Sequence, residues 1–226
     1  MRLHIPIFLL LSVGFLWLPP GAVAAGDPVR AESQREAQAL QELATIAKRK
    51  GRTLSLSLNV KGSVDFHTVD TCKGPDDCEI YHLVGISPDR QFFVVKQSLW
   101  EGDNVFWVSR SNGVKYEVYA EPHISPDGKN IVTAIPSEAY NINGVFLWKI
   151  NGVALEKRFH FEPTEYALYS FTRWLNRDAV ELKKFAYADI SVCAGKQFME
   201  VPVRLVRKGT QWELDERLHP TAVTCK

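Results

Sequence analysis

Ile124-Ser125-Pro126-Asp127-Gly128-Lys129-Asn130-Ile131-Val132 decides the fold, because Ile86-Ser87-Pro88-Asp89-Arg90 repeats its opening 38 residues upstream. Later segments recur in step. Val105-Phe106-Trp107-Val108 matches Val145-Phe146-Leu147-Trp148, and Asn112-Gly113-Val114 matches Asn151-Gly152-Val153. A period near ~40 filled with strand-forming residues is the pattern of a four-stranded propeller blade, a unit that buries its faces only against its neighbours. In the downstream copy Pro126 presets a turn angle, Asp127 bonds locally and Gly128 accepts a left-handed backbone. Arg90 stands where that glycine would be, so the upstream turn is expected to be strained or of another type.

Around this pair the chain divides into expected units at 81–119 and 122–161, with a weaker one at 170–214. In the weaker unit Trp174 to Val180 resembles the turn-plus-strand part, and Val203–Val206, Lys208-Gly209 and Gln211–Leu214 form a final hairpin. Upstream, Leu54, Leu56, Leu58 and Val60 alternate with polar residues, the pattern of a strand with one buried face, and Val64–Val69 returns as its partner. Glu32 to Lys50 reads as a helix with acids early, bases late and Gly51 as its C-cap, carrying a narrow stripe of Leu40, Leu43, Ala44 and Ala47. Such a helix suits the covering of a sheet edge. The expected fold is mainly β: an incomplete or open propeller-like stack of antiparallel β-meanders with one N-terminal helix, since closed propellers need at least about four blades.

Residues 1–25 read as a secretory signal peptide. Arg2 precedes the apolar run Ile5–Trp17, Pro19-Pro20-Gly21 breaks it, and Ala22-Val23-Ala24-Ala25 offers a small-residue cleavage site. Residues 26–226 then form a single β-rich domain, periplasmic or secreted, with no membrane span expected after cleavage. Of 27 basic residues Arg2 leaves with the signal, so 26 remain against 26 acidic ones. That balance, with Lys48, Arg49, Lys50 and Arg52 as the one dense basic cluster, gives no stripe for nucleic acid. The cluster is expected to complement the negative end of the helix. Four cysteines in an exported chain imply two disulfides, and the spacing favours Cys72–Cys78 around a turn-rich loop and Cys193–Cys225 as a staple on the tail.

No motif assigns a reaction. The histidines His67, His82, His123, His160 and His219 show no close ligand pair, there is no Gly-x-Ser-x-Gly elbow, and Asp65, Asp70, Asp76, Asp77 and Glu79 lack the ordered spacing of a calcium loop. No catalytic residue, metal or cofactor is expected. The strand tryptophans Trp107, Trp148 and Trp212 suit packing. Trp100 instead precedes Glu101-Gly102-Asp103-Asn104 between strands, and the matching place downstream holds Tyr140-Asn141-Ile142-Asn143-Gly144. Aromatic loops of this kind suit a contact surface or a stacked sugar, so Trp100, Glu101, Tyr140, Asn141 and Asn143 are the candidate binding residues.

The Ser125-Pro126-Asp127-Gly128-Lys129 turn with Val145–Trp148 after it resembles the WD-like propeller repeat of the TolB type. The mature chain also looks like a group of uncharacterised exported proteins of Gram-negative bacteria, on its Trp100-Glu101-Gly102, Ser125–Gly128 and Tyr140–Gly144 stretches. The resemblance implies β-rich architecture and export, and brings no catalytic residue. Repeats of this type serve protein–protein assembly in the envelope in some relatives and are accessory to hydrolases in others. The reading that follows is a non-catalytic exported module that binds an envelope protein. The alternatives are a hydrolase acting on an envelope or extracellular polymer, and a glycan-binding module.

Overall fold

The computed structural model describes residues 28–137, 142–217 and 222–226, so the signal-peptide reading, His219, Tyr140 and Asn141 lie outside the described residues. Four antiparallel sheets follow one another along the chain. Sheet I contains β1 (Ala47–Lys50), β2 (Thr53–Ser57) and β3 (Ser63–His67). Sheet II contains β4 (Val69–Asp70), β5 (Cys78–Ile86), β6 (Phe92–Leu99), β7 (Asp103–Ser109) and β8 (Lys115–Glu117). Sheet III contains β9 (His123–Ile124), β10 (Asn130–Ile135), β11 (Gly144–Asn151) and β12 (Ala154–Phe161). Sheet IV contains β13 (Ala167–Asn176), β14 (Ala179–Tyr187), β15 (Phe198–Lys208) and β16 (Gln211–Asp215), with β17 (Thr224–Cys225) added alongside β15.

The sheets stack in sequence order, and alternate side chains explain why. In β6, Phe93 and Val95 enter the core shared with sheet I, while Phe92 enters the one shared with sheet III. In β10 and β11, Ile131, Phe146 and Trp148 face sheet II, whereas Val132, Val145 and Leu147 face sheet IV. Sheets II and III are therefore covered on both faces, and their central strands read as continuous apolar runs. The outer sheets alternate. Leu54 and Leu56 are fully buried between half-buried serine and threonine, and Val201, Val203 and Leu205 are buried between exposed Pro202 and Arg204. Among the described residues no core cluster joins sheet I to sheet IV, so the stack is open.

The helix is shorter than expected. It spans Pro28–Glu42 (α1), and Ala47–Lys50 is strand β1, paired with Thr53–Leu56. Gly51 caps no helix; it is the first residue of a two-residue hairpin loop and takes φ +57, the primed-turn geometry that suits the twist of paired strands. The Lys48–Arg52 cluster consequently lies on a hairpin, not at a helix end. Strand β2 also stops early, at Ser57, leaving Val60 58% exposed. Ala39, Leu43 and Ala47 pack into the core of sheets I and II, while Ala44 is exposed.

Helix α1 covers an edge, through side chains. After Glu79 pairs with Val69, the chain of β4 leaves into sheet I, and among the described residues no strand lies beside Tyr81 and Leu83 on the edge of β5 opposite β6. Thr68 Oγ1 accepts from Tyr81 N (3.2 Å), Arg49 donates to Tyr81 O, and Glu36 Oε1 accepts from Leu83 N (3.0 Å). Three side chains thus replace a missing strand, which keeps buried backbone groups bonded.

Candidate functional site

The two Ser-Pro-Asp turns define one end of the stack. In each, the serine hydroxyl donates to the aspartate and accepts a strand N–H: Ser125 Oγ bonds Asp127 Oδ1 (2.7 Å) and Asn130 N (2.9 Å), and Ser87 Oγ bonds Asp89 Oδ1 (2.5 Å) and Phe92 N (3.0 Å). The expectation of a different upstream turn is corrected in one respect. Its hydrogen bonds are the same, and Arg90 is held at φ +60 beside Gly128's +69. The Asn176–Asp178 turn of sheet IV joins this end, because Trp174 Nε1 donates to His123 O (3.1 Å).

The opposite end carries the loops. Glu79 pairs with Leu99, which sets the Cys72–Cys78 loop beside the Trp100 turn. Ile135, at the end of β10, lines the same cavity as Lys96 and Asp103, so the β10–β11 connection leaves at that end too. Asn143 Nδ2 donates to Ala167 O (2.7 Å) at the start of β13, and Ala167 pairs with Ala186, which brings the loop after β14 to the same end. That loop holds Cys193, bonded to Cys225. Both disulfides are the pairs favoured from spacing. Cys193 lies in the loop, and the tail is fixed by β17 pairing with β15 as well as by the bond.

Trp100 stands in a four-residue turn closed by Leu99 N to Gly102 O (3.0 Å) and is 47% exposed, with Glu101 exposed beside it. Tyr187 and Ile190 are 57% and 84% exposed at this same end. Tyr187 stacks on Phe198 (5.4 Å between ring centres), which stacks on Phe185 (5.1 Å). These rings occupy the outer face of sheet IV, since the intervening Ala186 and Met199 face the core. Of the five candidate residues, Trp100 and Glu101 are exposed, and Asn143 ties sheet III to sheet IV. Tyr187 ends a strand and Ile190 sits in the loop beyond it, and no aromatic turn motif like that of Trp100 marks either in the sequence.

A cavity of about 380 Å³ opens among α1, sheet II and sheet III. Beside it lies an ion network. Lys96 bonds Glu32 and, at 2.9 Å, Asp103; Arg49 bonds both oxygens of Glu36. His82 Nδ1 lies 3.4 Å from Glu36 Oε2 without the alignment of a hydrogen bond. Burial pushes the Glu36 carboxyl up, but the interactions with His82, Arg49 and Leu83 N–H outweigh it and bring its pKa down to about 2. Burial likewise opposes the charge on Lys96, and its bonds to Glu32 and Asp103 override this and raise its pKa. Both groups are fixed in their ionised forms. A general acid or base requires the reverse, a pKa moved toward the working pH.

Other acids and histidines are engaged locally. Asp70 pairs with Arg52 (2.5 Å), Asp77 Oδ1 accepts from Lys73 N and Gly74 N (2.8 and 2.9 Å), and Glu79 accepts from Tyr81 OH (3.0 Å). His123 stacks on Phe171 at 3.7 Å, and burial lowers its pKa. Among the described residues no three His, Cys, Asp or Glu side chains are grouped to hold a metal ion, and no helix is long and apolar enough to cross a membrane. No protein-family model matches the chain, and no curated protein matches it.

Proposed function

We propose that this protein is a non-catalytic exported module, propeller-like in organisation, that binds another protein of the cell envelope through the loop end of its stack. The observation that supports the reading is that the exposed Trp100, Tyr187 and Ile190 and both disulfides all lie at that end, on sheets II and IV. Loops held by a rigid scaffold are the usual carriers of recognition, and exposed aromatics are enriched among the residues that dominate binding. Two disulfides also fit an oxidising compartment. The hydrolase alternative draws no support from the ion network, whose carboxylate Glu36 is held ionised far below neutral pH.

The test is cross-linking of the tagged protein in its own envelope, with partners identified for the wild type and for a Trp100→Ala, Tyr187→Ala double variant. One partner captured by the wild type and lost from the folded double variant is the expected result. Equal capture by both would remove the loop end from consideration, and retention on a polysaccharide column in place of a protein partner would favour the glycan-binding reading.

A further inference from the structure

The cavity among α1, sheet II and sheet III is walled by residues that depart from their local pattern. Strand β5 bulges between Leu83 and Gly85, with Gly85 at φ +153, and Val84 stands 56% exposed in the cavity lining. Tyr119, a bulky aromatic, is held at φ +68 in the opposite wall. Lys96 follows Phe92 and Val94 at two-residue spacing on the face that packs toward sheet III, where the pattern calls for another apolar residue. Bulges and strained non-glycine backbones concentrate at ligand sites, where they aim side chains.

The lining fixes the chemistry of a guest. Leu83, Val94, Val105 and Ile135 present apolar walls. Of the charges in the lining, Glu32 and Asp103 share Lys96 and Glu36 is taken by Arg49, while Arg35 and Glu121 are exposed to solvent. A charged guest would lose its hydration and compete with these pairs, whereas an uncharged one would leave them intact. An ammonium group carries three N–H donors, and Lys96 directs them to two carboxylates, which leaves one for an acceptor on the guest. The volume of about 380 Å³ suits a small molecule. We propose that this cavity binds an uncharged, largely apolar small molecule whose single hydrogen-bond acceptor meets Lys96. This is independent of the protein-binding reading of the loop end.

The test uses the full mature chain and a series of probes matched in shape: 1-naphthalenemethanol, 1-methylnaphthalene, 1-naphthylmethylammonium and 1-naphthoate, titrated calorimetrically. The alcohol is expected to bind one per chain, at least about tenfold more tightly than either ion and severalfold more tightly than the hydrocarbon. Methyl resonances of Val94, Val105 and Ile135 should shift with it. Val84→Trp, at an exposed position, should block the mouth and weaken binding at least tenfold. Equal affinity for the ions, no saturable binding of the alcohol, or shifts confined to other residues would overturn the proposal. So would unchanged binding to a folded Val84→Trp variant; if that variant does not fold, the methyl shifts decide.

Discussion

The two ends of the stack are built by different means. At the turn end, Ser87 and Ser125 close their loops with bonds that span five residues at most, and the longer links there, Arg110 to Arg90 O and Trp174 to His123 O, are single hydrogen bonds added to turns already closed. At the loop end the fastenings reach across the chain: Cys193 to Cys225, Asn143 to Ala167, and Lys96 to Glu32. Local bonds set strand pairing, and long-range ones hold surfaces that the sheets do not define. Damage at the turn end should therefore cost little per site, whereas the loop end depends on a few connections with large individual effects.

The largest expected effect separates the two disulfides. Cys193 and Cys225 are 32 residues apart, Cys72 and Cys78 only 6. The chain-entropy relation gives about 3–4 kcal/mol for the long loop and about 2 for the short one. Paired Cys→Ser variants compared by denaturant midpoint should keep that order. Equal losses would mean that β17 holds the tail without its bond and that the loop end is less dependent on long-range links than its architecture indicates.

Next comes Glu36. Its folded pKa of about 2 lies below the ordinary 4.5, so the folded protein holds that proton more weakly than the unfolded chain does. Stability from the ionised carboxylate is fully present above about pH 4.5 and is lost as pH falls toward 2. A shift of this size corresponds to at most about 3 kcal/mol. Glu36→Gln should destabilise the protein at pH 7 by roughly 2–3 kcal/mol, and the gap to the wild type should close through that acid window. A gap independent of pH would show that Glu36 acts by packing and by accepting from Leu83 N–H, with its charge irrelevant.

Smaller effects belong to the turns. Gly128 has open space where a side chain would begin but sits at φ +69, so Gly128→Val is expected to cost about 1–2 kcal/mol through backbone strain alone. Arg90 already bears that strain at φ +60, and Arg90→Gly should stabilise by a few tenths to about 1 kcal/mol. Opposite signs at equivalent positions, measured as midpoints at constant m-value, would confirm that the two turns are one structure. A loss at Arg90→Gly would show instead that its side chain contributes more than its backbone conformation costs.

These cases also show what was legible in the sequence. Continuous runs such as Phe92-Phe93-Val94-Val95 mark strands buried on both faces, and the alternation at Leu54 and Leu56 marks an outer sheet. The sequence suggests a longer helix than α1 because Lys48-Arg49-Lys50-Gly51 imitates a basic last turn with a glycine cap, although Thr45 and Ile46 are β-branched and Arg49 is drawn to Glu36. The ion network was invisible for a different reason. Glu36 and Leu83 are 47 residues apart, and Glu32 and Lys96 are 64 apart. What the sequence does show is a charge at a core-facing position: Glu36 lies on the stripe of Ala39 and Leu43, and Lys96 follows Phe92 and Val94. Such misplaced charges are the best local sign of a partner elsewhere.

Trp100 should show the smallest effect on stability. It occupies a turn closed by backbone bonds and is 47% exposed, whereas Trp107, seven residues on, is 2% exposed in the core of sheets II and III. Removing a buried aromatic typically costs about 3–5 kcal/mol, but an exposed turn residue away from such packing usually changes stability by no more than about 0.5. Trp100→Ala should therefore melt close to the wild type while losing partner capture. A fall in melting temperature comparable to that of Trp107→Ala would make Trp100 a packing residue, and the contact surface at the loop end would then rest on Tyr187 and Ile190 alone.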